Sequence, residues 1–370
     1  MKIKDVRYEL YLHERPQHPG DARPGFPRRE GKVPFPILRI ITDDGIEGFA
    51  SNDREVPEST VSAIRQMIVG KDPFDRELIW QSLWCWYDAG RGSKYFAKIT
   101  LRDLAYVDIA LWDIAGKALG QPIYKLLGAY RDKIRVYASS YNLSSPQAYA
   151  DEVSSCKKQG VTAYKLHVDP EITVEACRAS RRAGGDDMVL MFDGGPYQQR
   201  ELALRIGKVL DELNFYWYEE PIFDHDIEGL IKLREKLDIP IAATETPLMS
   251  MYSIPEYLLR RAVDIVRPDV MIYGGITPCK KIADMCDAFG MQCELHSGAH
   301  GFPICNIANL HVECAIKNCE FHEVRWPDVV RFGLKEYPVI DNEGYVYVPQ
   351  KPGLGVEMDW ESLGKPVVSY

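Results

Sequence analysis

Ionisable residues recur at regular intervals in the second half of this 370-residue sequence, each closing a short apolar or aromatic run. In chain order they are Lys165, His167, Asp193, Glu219, Glu245, Asp269, His296 and Glu323. Their spacing of about 24 to 28 residues is typical of one strand, one helix and two loops. Because the strands of a closed (β/α) barrel present their carboxyl ends on one face, the spacing predicts one shared pocket.

Three successive members of this series are acidic: Asp193, Glu219 and Glu245. Oxygen ligands in this number suit octahedral Mg²⁺ better than zinc. Without a cation, three neighbouring carboxylates would repel one another and raise each other's pKa. Three unrelated acids in salt bridges are the alternative, but their common position at successive strand ends favours a magnesium site.

Basic residues flank the three acids on both sides. Lys165 and His167 are two residues apart on a predicted strand, so both face the barrel interior. Two potential cations side by side lower each other's pKa, which keeps one of them neutral as a general base requires. On the other side, Asp269 and His296 end consecutive strands, and a carboxylate bonded to an imidazole fixes its tautomer. A packed core histidine is the alternative for His167.

Eight short strands can be placed around these residues. They are predicted at residues 135–140, 162–168, 188–193, 215–220, 239–245, 264–269, 291–296 and 318–323, with helical patterns between them. Before them, the sequence predicts a strand at residues 2–12, a hairpin at 36–50 and helices at 58–69 and 75–87. An α+β unit therefore precedes the barrel.

The stretch from Glu14 to Phe35 is dense in Pro, Gly and Arg and predicts either disorder or a lid. Arg23, Arg28 and Arg29 within it would suit contact with a substrate carboxylate or polyol. A solvated charged loop is the alternative.

The composition, 46% hydrophobic and 27% charged, is that of a soluble globular protein. The sequence has neither a membrane-spanning apolar run nor the apolar core of a signal peptide. A net charge of −9 argues against nucleic acid or an anionic membrane as partner. Nine cysteines without paired spacing indicate reduced, mostly buried thiols in a cytoplasmic protein.

Residues 105–128, AYVDIALWDIAGKALGQPIYKLLG, resemble the helix that leads into the barrel in the enolase superfamily. The strand-end residues resemble those of its mandelate racemase subgroup, over nearly the whole chain. The resemblance implies an α/β fold with three parts. A modified TIM barrel, (β/α)7β, would span residues 131–330, after an α+β capping domain with lid loops at residues 1–130. A C-terminal segment, residues 331–370, would pack back on the capping domain. Relatives are typically dimers to octamers, which implies a homo-oligomer.

The resemblance also implies roles. In the Glu219–Glu220 pair, the first glutamate matches the family's metal ligand. The family often has Lys-x-Lys, with the second lysine as base. His167 takes that place here and is the first candidate for proton abstraction, with Lys165 tuning it and contacting the substrate carboxylate. The reverse assignment stays open.

The remaining strand-end residues also match family positions. Asp269 and His296 match the His-Asp dyad that acts as the other acid or base. Glu323 matches an electrophilic carboxylic acid, which must be protonated to donate a hydrogen bond to the substrate. His322 and Arg325, which flank Glu323, are predicted to be structural. Gly195 replaces a polar side chain of many relatives, so substrate identity does not transfer from them.

The predicted function is Mg²⁺-dependent removal of the α-proton of a small carboxylate, which gives an enediolate. If a β-hydroxyl faces His296, water is lost and a sugar acid (aldonate or aldarate) becomes a 2-keto-3-deoxy acid, a lyase reaction. This outcome is favoured because an Arg-bearing lid suits a polyol and dehydration is the commonest activity in the subgroup. The alternative is a racemase or epimerase, in which His296 returns the proton. A non-catalytic relative is a remote third reading, because all three ligands and both acid–base sides are present.

Overall fold

The computed structural model describes residues 1–14, 32–85, 99–195, 199–245, 249–297, 302–326 and 331–370. The predicted substrate contacts Arg23, Arg28 and Arg29 lie outside these residues. None of the described helices is long and apolar enough to cross a bilayer. Eight of the nine cysteines are described at side-chain level, and all eight are buried and free, as predicted.

An antiparallel sheet forms at the N-terminus from β1 (Ile3–Glu14), β2 (Lys32–Thr42) and β3 (Glu47–Ser51). The hairpin predicted at residues 36–50 is confirmed, with Gly45 at φ 87° in its turn. The sheet gains a fourth strand from the end of the chain, because β13 (Val368–Ser369) pairs with β1. The C-terminal residues therefore return to the N-terminal sheet.

The prediction that residues 14–35 hold no regular element is wrong at both ends. Glu14 ends β1, and residues 32–35 begin β2. Pro34 and Pro36 are tolerated there because they pair only with β1, opposite Leu12 and Leu10. The third strand joins β2 only from Ile37 onward, so among the described residues no strand pairs with β2 on the side of the missing N–H groups.

Helices α1 (Glu58–Ile68), α2 (Arg76–Cys85), α3 (Leu101–Leu119) and α4 (Ile123–Leu126) follow. A capping box between Thr100 and Asp103 starts α3, and Gly120, at φ 65°, ends it. Buried Asp113 of α3 accepts hydrogen bonds from the backbone N–H groups of Phe49 and Leu354. The helix thereby connects β3 with the C-terminal segment.

Eight parallel strands form the barrel. They are β4 (Lys133–Asn142), β5 (Ala163–His167), β6 (Val189–Asp193), β7 (Tyr218–Glu219), β8 (Ile241–Ala243), β9 (Ile265–Val266), β10 (Gln292–Cys293) and β11 (Phe321–Arg325). Each neighbours the next from β4 to β10, and β11 pairs with β4. The Cys293 N–H donates to the Asn318 carbonyl (2.8 Å) between the last two strands. The predicted barrel is confirmed, although β11 continues two residues beyond Glu323.

The helices of the barrel are α5 (Pro146–Lys158), α6 (Thr173–Gly184), α7 (Arg200–Glu212), α8 (Ile227–Arg234), α9 (Ile254–Leu259), α10 (Val270–Tyr273), α11 (Ile276–Ala288) and α12 (Pro303–Ala315). Beyond them, β12 (Tyr345–Tyr347) pairs antiparallel with β4, and α13 (Trp360–Leu363) precedes β13. The C-terminal segment therefore contacts the barrel as well as the N-terminal sheet. The three domain boundaries stay predictions.

The barrel interior is layered. Its floor is a buried apolar cluster of Tyr137, Ala163, Met191, Trp217, Ala242, Ile265 and Phe321. Side chains on a strand return to the same face every second residue. Five of the seven floor residues are therefore followed, two positions later on the same face, by a charged residue: Lys165, Asp193, Glu219, Arg267 or Glu323. A charged layer thus lies directly above the apolar floor, at the carboxyl ends of the strands.

Candidate metal and acid–base site

The three predicted metal ligands lie together. Asp193 ends β6, Glu219 ends β7, and Glu245 follows β8 by two residues. One carboxylate oxygen from each lies within 4.8 Å of the others. Glu220 is not part of this group, and burial together with the charge of Glu245 raises its pKa to about 12. The geometry therefore brings together Glu219, rather than its neighbour, with the other two acids.

These residues fit a hard divalent cation. Glu245 Oε2 is buried and makes no hydrogen bond within the described part of the chain. Burial, and then repulsion from Glu219 and Asp193, raises the pKa of Glu245 well above its ordinary value. A cation with two positive charges would remove this repulsion and supply the missing partner. The all-oxygen donor set suits Mg²⁺.

Backbone strain accompanies the ligand Glu245. The preceding residue, Thr244, has φ 88°, which is uncommon for a β-branched residue. Its N–H donates to Asp224 Oδ2 (3.1 Å), and its hydroxyl accepts from the Arg267 N–H (3.1 Å). Neighbouring strands thus hold the turn that delivers Glu245 to the site.

Lys165 lies at the centre of the charged layer and is fully buried. Its Nζ is 2.9 Å from Glu219 Oε1, 3.1 Å from Glu323 Oε1 and 3.7 Å from Asp193 Oδ2. Burial favours the neutral amine, but Glu219 and Glu323 outweigh it and raise the pKa of Lys165. The expectation that Lys165 and His167 lower each other's pKa is therefore wrong for Lys165, which stays cationic.

His167 is the neutral member of the pair. Burial lowers its pKa, and Lys165 adds to this, while Asp193 acts in the opposite direction. Its Nε2 lies 2.9 Å from Asp193 Oδ2, so Nε2 carries the proton and donates. The lone pair is then on Nδ1, which makes no hydrogen bond within the described residues. A neutral imidazole with an available lone pair is what a general base needs.

The predicted dyad is formed on the opposite side. His296 Nδ1 lies 3.1 Å from Asp269 Oδ2, and His296 Nε2 lies 3.5 Å from Glu245 Oε2. The three acids therefore have His167 beside Asp193 at one end and His296 beside Glu245 at the other.

Asn309 of α12 holds the dyad in place and is a residue that the sequence pattern did not predict. Its side-chain amide donates to Asp269 Oδ1 (3.2 Å) and to the His296 carbonyl (2.9 Å), and accepts from the Val270 N–H (3.1 Å). Asn309 lies on a helix rather than at a strand end, so the strand-end pattern carried no signal for it.

Glu323 differs from its prediction. Its Oε1 lies 3.1 Å from Lys165 Nζ, and its Oε2 accepts from Arg267 Nη2 (3.1 Å) and from the Ser297 N–H (3.0 Å). Burial alone would raise its pKa, but Lys165, His296 and Arg267 hold the pKa well below its ordinary value. The side chain is therefore a carboxylate here, and the expected protonated form is wrong for these surroundings.

Arg267 is the second residue that the sequence analysis missed. It is fully buried, with Nε 2.9 Å from Glu219 Oε1 and Nη2 3.0 Å from the Tyr137 hydroxyl. Its position two residues after Ile265 of the apolar floor, directly after β9, was the available signal. Lys165 and Arg267 match two of the four carboxylates around them, Asp193, Glu219, Glu245 and Glu323. If all four are ionised, two negative charges remain unmatched, and the raised pKa of Glu245 without a cation reflects that excess.

A closed parallel barrel with a separate sheet before it, and with acids and bases at its strand ends, defines an enolase-like fold. Comparison with known families agrees. Residues 148–362 match the enolase C-terminal domain-like family, and residues 28–128 match the mandelate racemase/muconate lactonizing enzyme N-terminal domain. The chain belongs to this family, the mandelate racemase subgroup of the enolase superfamily.

Several relatives carry names of acid-sugar dehydratases. The chain is 32% identical to arabinonate dehydratase of Saccharolobus solfataricus, over 95% of this chain and 96% of that protein. It is 34% identical to L-talarate/galactarate dehydratase of Salmonella typhimurium, over 72% of this chain and 68% of that protein. Among solved structures, D-glucarate dehydratase from Agrobacterium tumefaciens complexed with magnesium is 33% identical, with a TM-score of 0.85 over 98% of each chain.

Adding Mg²⁺ is expected to stabilise the protein, because a cation relieves the repulsion around Glu245. At 100 times the dissociation constant the gain is about 2.7 kcal/mol. Thermal unfolding with Mg²⁺ and with EDTA measures it. Glu245→Gln should abolish most of the metal-dependent rise, whereas the exposed control Glu235→Gln should keep it. An equal rise in Glu245→Gln would mean that the cation binds elsewhere.

Proposed function

We propose that this chain is a Mg²⁺-dependent acid-sugar dehydratase that converts an aldonate or aldarate into a 2-keto-3-deoxy acid. The observation that carries the proposal is the placement of His167 and His296 at opposite ends of the group Asp193, Glu219 and Glu245. Dehydration needs both a base for the α-proton and an acid for the leaving hydroxyl. The names of the relatives support the same reaction.

Substrate binding uses the charged layer. Asp193, Glu219 and Glu245 would hold Mg²⁺, which supplies positive charge against the negative charge that develops on the substrate carboxylate. Lys165 is kept cationic by Glu219 and Glu323. It would contact an oxygen of the substrate carboxylate beside the metal ligands. Glu323 holds the Lys165 ammonium group by an ion pair, and Arg267 holds the Glu219 carboxylate in the same way. These groups therefore need little rearrangement during the reaction.

Proton transfer uses the two histidines. His167 is neutral, and its Nδ1 makes no hydrogen bond to the residues that the structure describes, so it takes the proton from the α-carbon. His296 in its protonated form gives a proton to the β-hydroxyl, the carbon–oxygen bond breaks, and water leaves. Asp269, 3.1 Å from His296 Nδ1, stabilises the imidazolium before that transfer. The enol that remains takes up a proton and becomes the 2-keto acid.

A panel of aldonic and aldaric acids tests the proposal. With Mg²⁺ present, at least one acid is expected to give a 2-keto product, detected by semicarbazide, and EDTA should abolish the signal. If no 2-keto product forms but the α-hydrogen of an acid exchanges in D₂O, the racemase or epimerase alternative replaces dehydration. If neither product nor exchange appears with any acid, the proposal fails. Homo-oligomeric assembly and a cytoplasmic location stay predictions.

A further inference from the structure

Arg325 faces the interior of the barrel, although the sequence analysis treated it as structural. It ends β11, two residues beyond Glu323, and strand alternation places both on the inner face. Its neighbour His322 points outward, where Nδ1 lies 2.6 Å from Glu313 Oε2 in a fully buried pair. The two residues that flank Glu323 therefore have different surroundings, and only His322 keeps the structural role.

The guanidinium of Arg325 is stacked on an aromatic ring. Its Cζ lies 4.0 Å from the ring centroid of Tyr141, which is on the adjacent strand β4 and is itself buried. Stacking uses the flat face of the guanidinium, while its N–H donors point along the edges. The ring thus fixes the plane in which Arg325 can bind a planar or tetrahedral anion.

Arg325 also lies near the predicted base. His167 is the last residue of β5, which pairs with β4 on the side away from β11. Its Cα lies opposite that of Asn142, the residue after Tyr141. Arg325 and His167 therefore lie on the two strands that flank β4, each two residues beyond a member of the charged layer, Glu323 and Lys165. Two residues of strand separate the layers, which is about 7 Å and comparable to the length of a sugar-acid chain.

We propose that Arg325 binds a second anionic group at the far end of the substrate, so that the enzyme prefers a sugar acid with an anionic group at each end. This inference rests on the proposed function. The first carboxylate lies at Lys165 and the three acids, and the chain extends upward to Arg325. Either a terminal carboxylate, as in an aldaric acid, or a terminal phosphate offers the oxygen pair that an arginine binds in two places.

Gly195, directly beyond the third barrel strand, leaves room for a long substrate. Gly195 follows the ligand Asp193 with φ 64°, and in the described part of the chain a Cβ there would meet no atom within 4 Å. The polar side chain that many relatives have at this position is therefore replaced by room. The far end of the substrate would then be bound by groups such as Arg325.

Matched substrates of one configuration test the inference. The kcat/KM is measured for the aldonic acid, the corresponding aldaric acid and the aldonic acid phosphorylated at its terminal hydroxyl. The unmodified enzyme should prefer at least one of the two acids with a second anionic group by tenfold or more. Arg325→Gln should lower kcat/KM for that acid by about 10- to 100-fold, mainly through KM, with a much smaller loss for the aldonic acid. Whether carboxylate or phosphate is preferred identifies the natural group.

Controls separate binding from folding. Arg325→Lys keeps the charge but not the two-point geometry, and should lie between the Gln variant and the unmodified enzyme. Arg205→Gln, on the exposed face of α7, should match the unmodified enzyme. Equal losses for all three substrates in Arg325→Gln, or a preference of the unmodified enzyme for the aldonic acid, would overturn this inference but leave dehydration intact. Failure to dehydrate any acid would instead overturn the proposed function.

Discussion

Replacing His296 with asparagine is expected to lower dehydration by about 10²- to 10⁴-fold, while exchange of the substrate α-hydrogen in D₂O continues. Asparagine retains a polar group near Asp269 but cannot deliver a proton to the β-hydroxyl. His167, at the other end of the three acids, still removes and returns the α-proton. Steady-state assays of the 2-keto product, with NMR of the recovered acid after incubation in D₂O, measure both reactions on the same sample.

Two further variants define what the His296 result means. Asp269→Asn removes the negative charge that stabilises the His296 imidazolium. It should therefore also lower the rate of dehydration, but less than His296→Asn does. The exposed His225→Asn should change neither reaction. If His296→Asn loses exchange together with dehydration, His296 is the base and the assignments must be reversed. If dehydration is untouched, the dyad is not involved.

Strand alternation and the regular spacing made much of this site predictable. Each of the eight strands lies at a predicted position or within three residues of it, and Asp193, Glu219 and Glu245 converge as their common position required. Lys165 and His167 share a face because a strand repeats every two residues. Such features depend on local periodicity and on the closure of the barrel, and both can be read along one chain.

Charge states were less predictable, because they depend on residues that meet across the barrel. Arg267 on the sixth barrel strand reaches Glu219 on the fourth and Glu323 on the eighth. Without that contact, burial would favour a protonated Glu323, which was the prediction. With Arg267 and Lys165 beside it, the carboxylate is favoured. Asn309 was missed for a similar reason, since it approaches the dyad from a helix.

The charge arrangement also bears on the choice between Lys165 and His167, which the sequence left open. Lys165 is enclosed by carboxylates at 2.9 and 3.1 Å, so releasing its proton would leave Arg267 as the remaining cation in contact with both Glu219 and Glu323. His167 has one carboxylate contact through Nε2 and keeps the other nitrogen available. Lys165 is thus suited to binding and charge balance, and His167 to proton transfer.

His167→Asn is therefore expected to lose α-hydrogen exchange and dehydration together, each by about 10²- to 10⁴-fold, while Mg²⁺ still raises its melting temperature. The loss of both reactions distinguishes it from His296→Asn, because no later step proceeds without removal of the α-proton. Retained stabilisation by Mg²⁺ would show that Asp193, in contact with His167 at 2.9 Å, still binds the cation. Exchange and product formation are measured as for His296.

Lys165→Met is the matched comparison, and its effects should differ in kind. Removing one partner of a buried ion pair costs about 3–5 kcal/mol, so this variant should unfold at lower temperature and respond differently to Mg²⁺. At saturating substrate, whatever folded enzyme remains should still exchange the α-hydrogen, because His167 is intact. Exchange that persists in His167→Asn but disappears in folded Lys165→Met would assign the base to Lys165. The same pair of measurements therefore decides between the two residues, since only the true base is required for carbon–hydrogen cleavage.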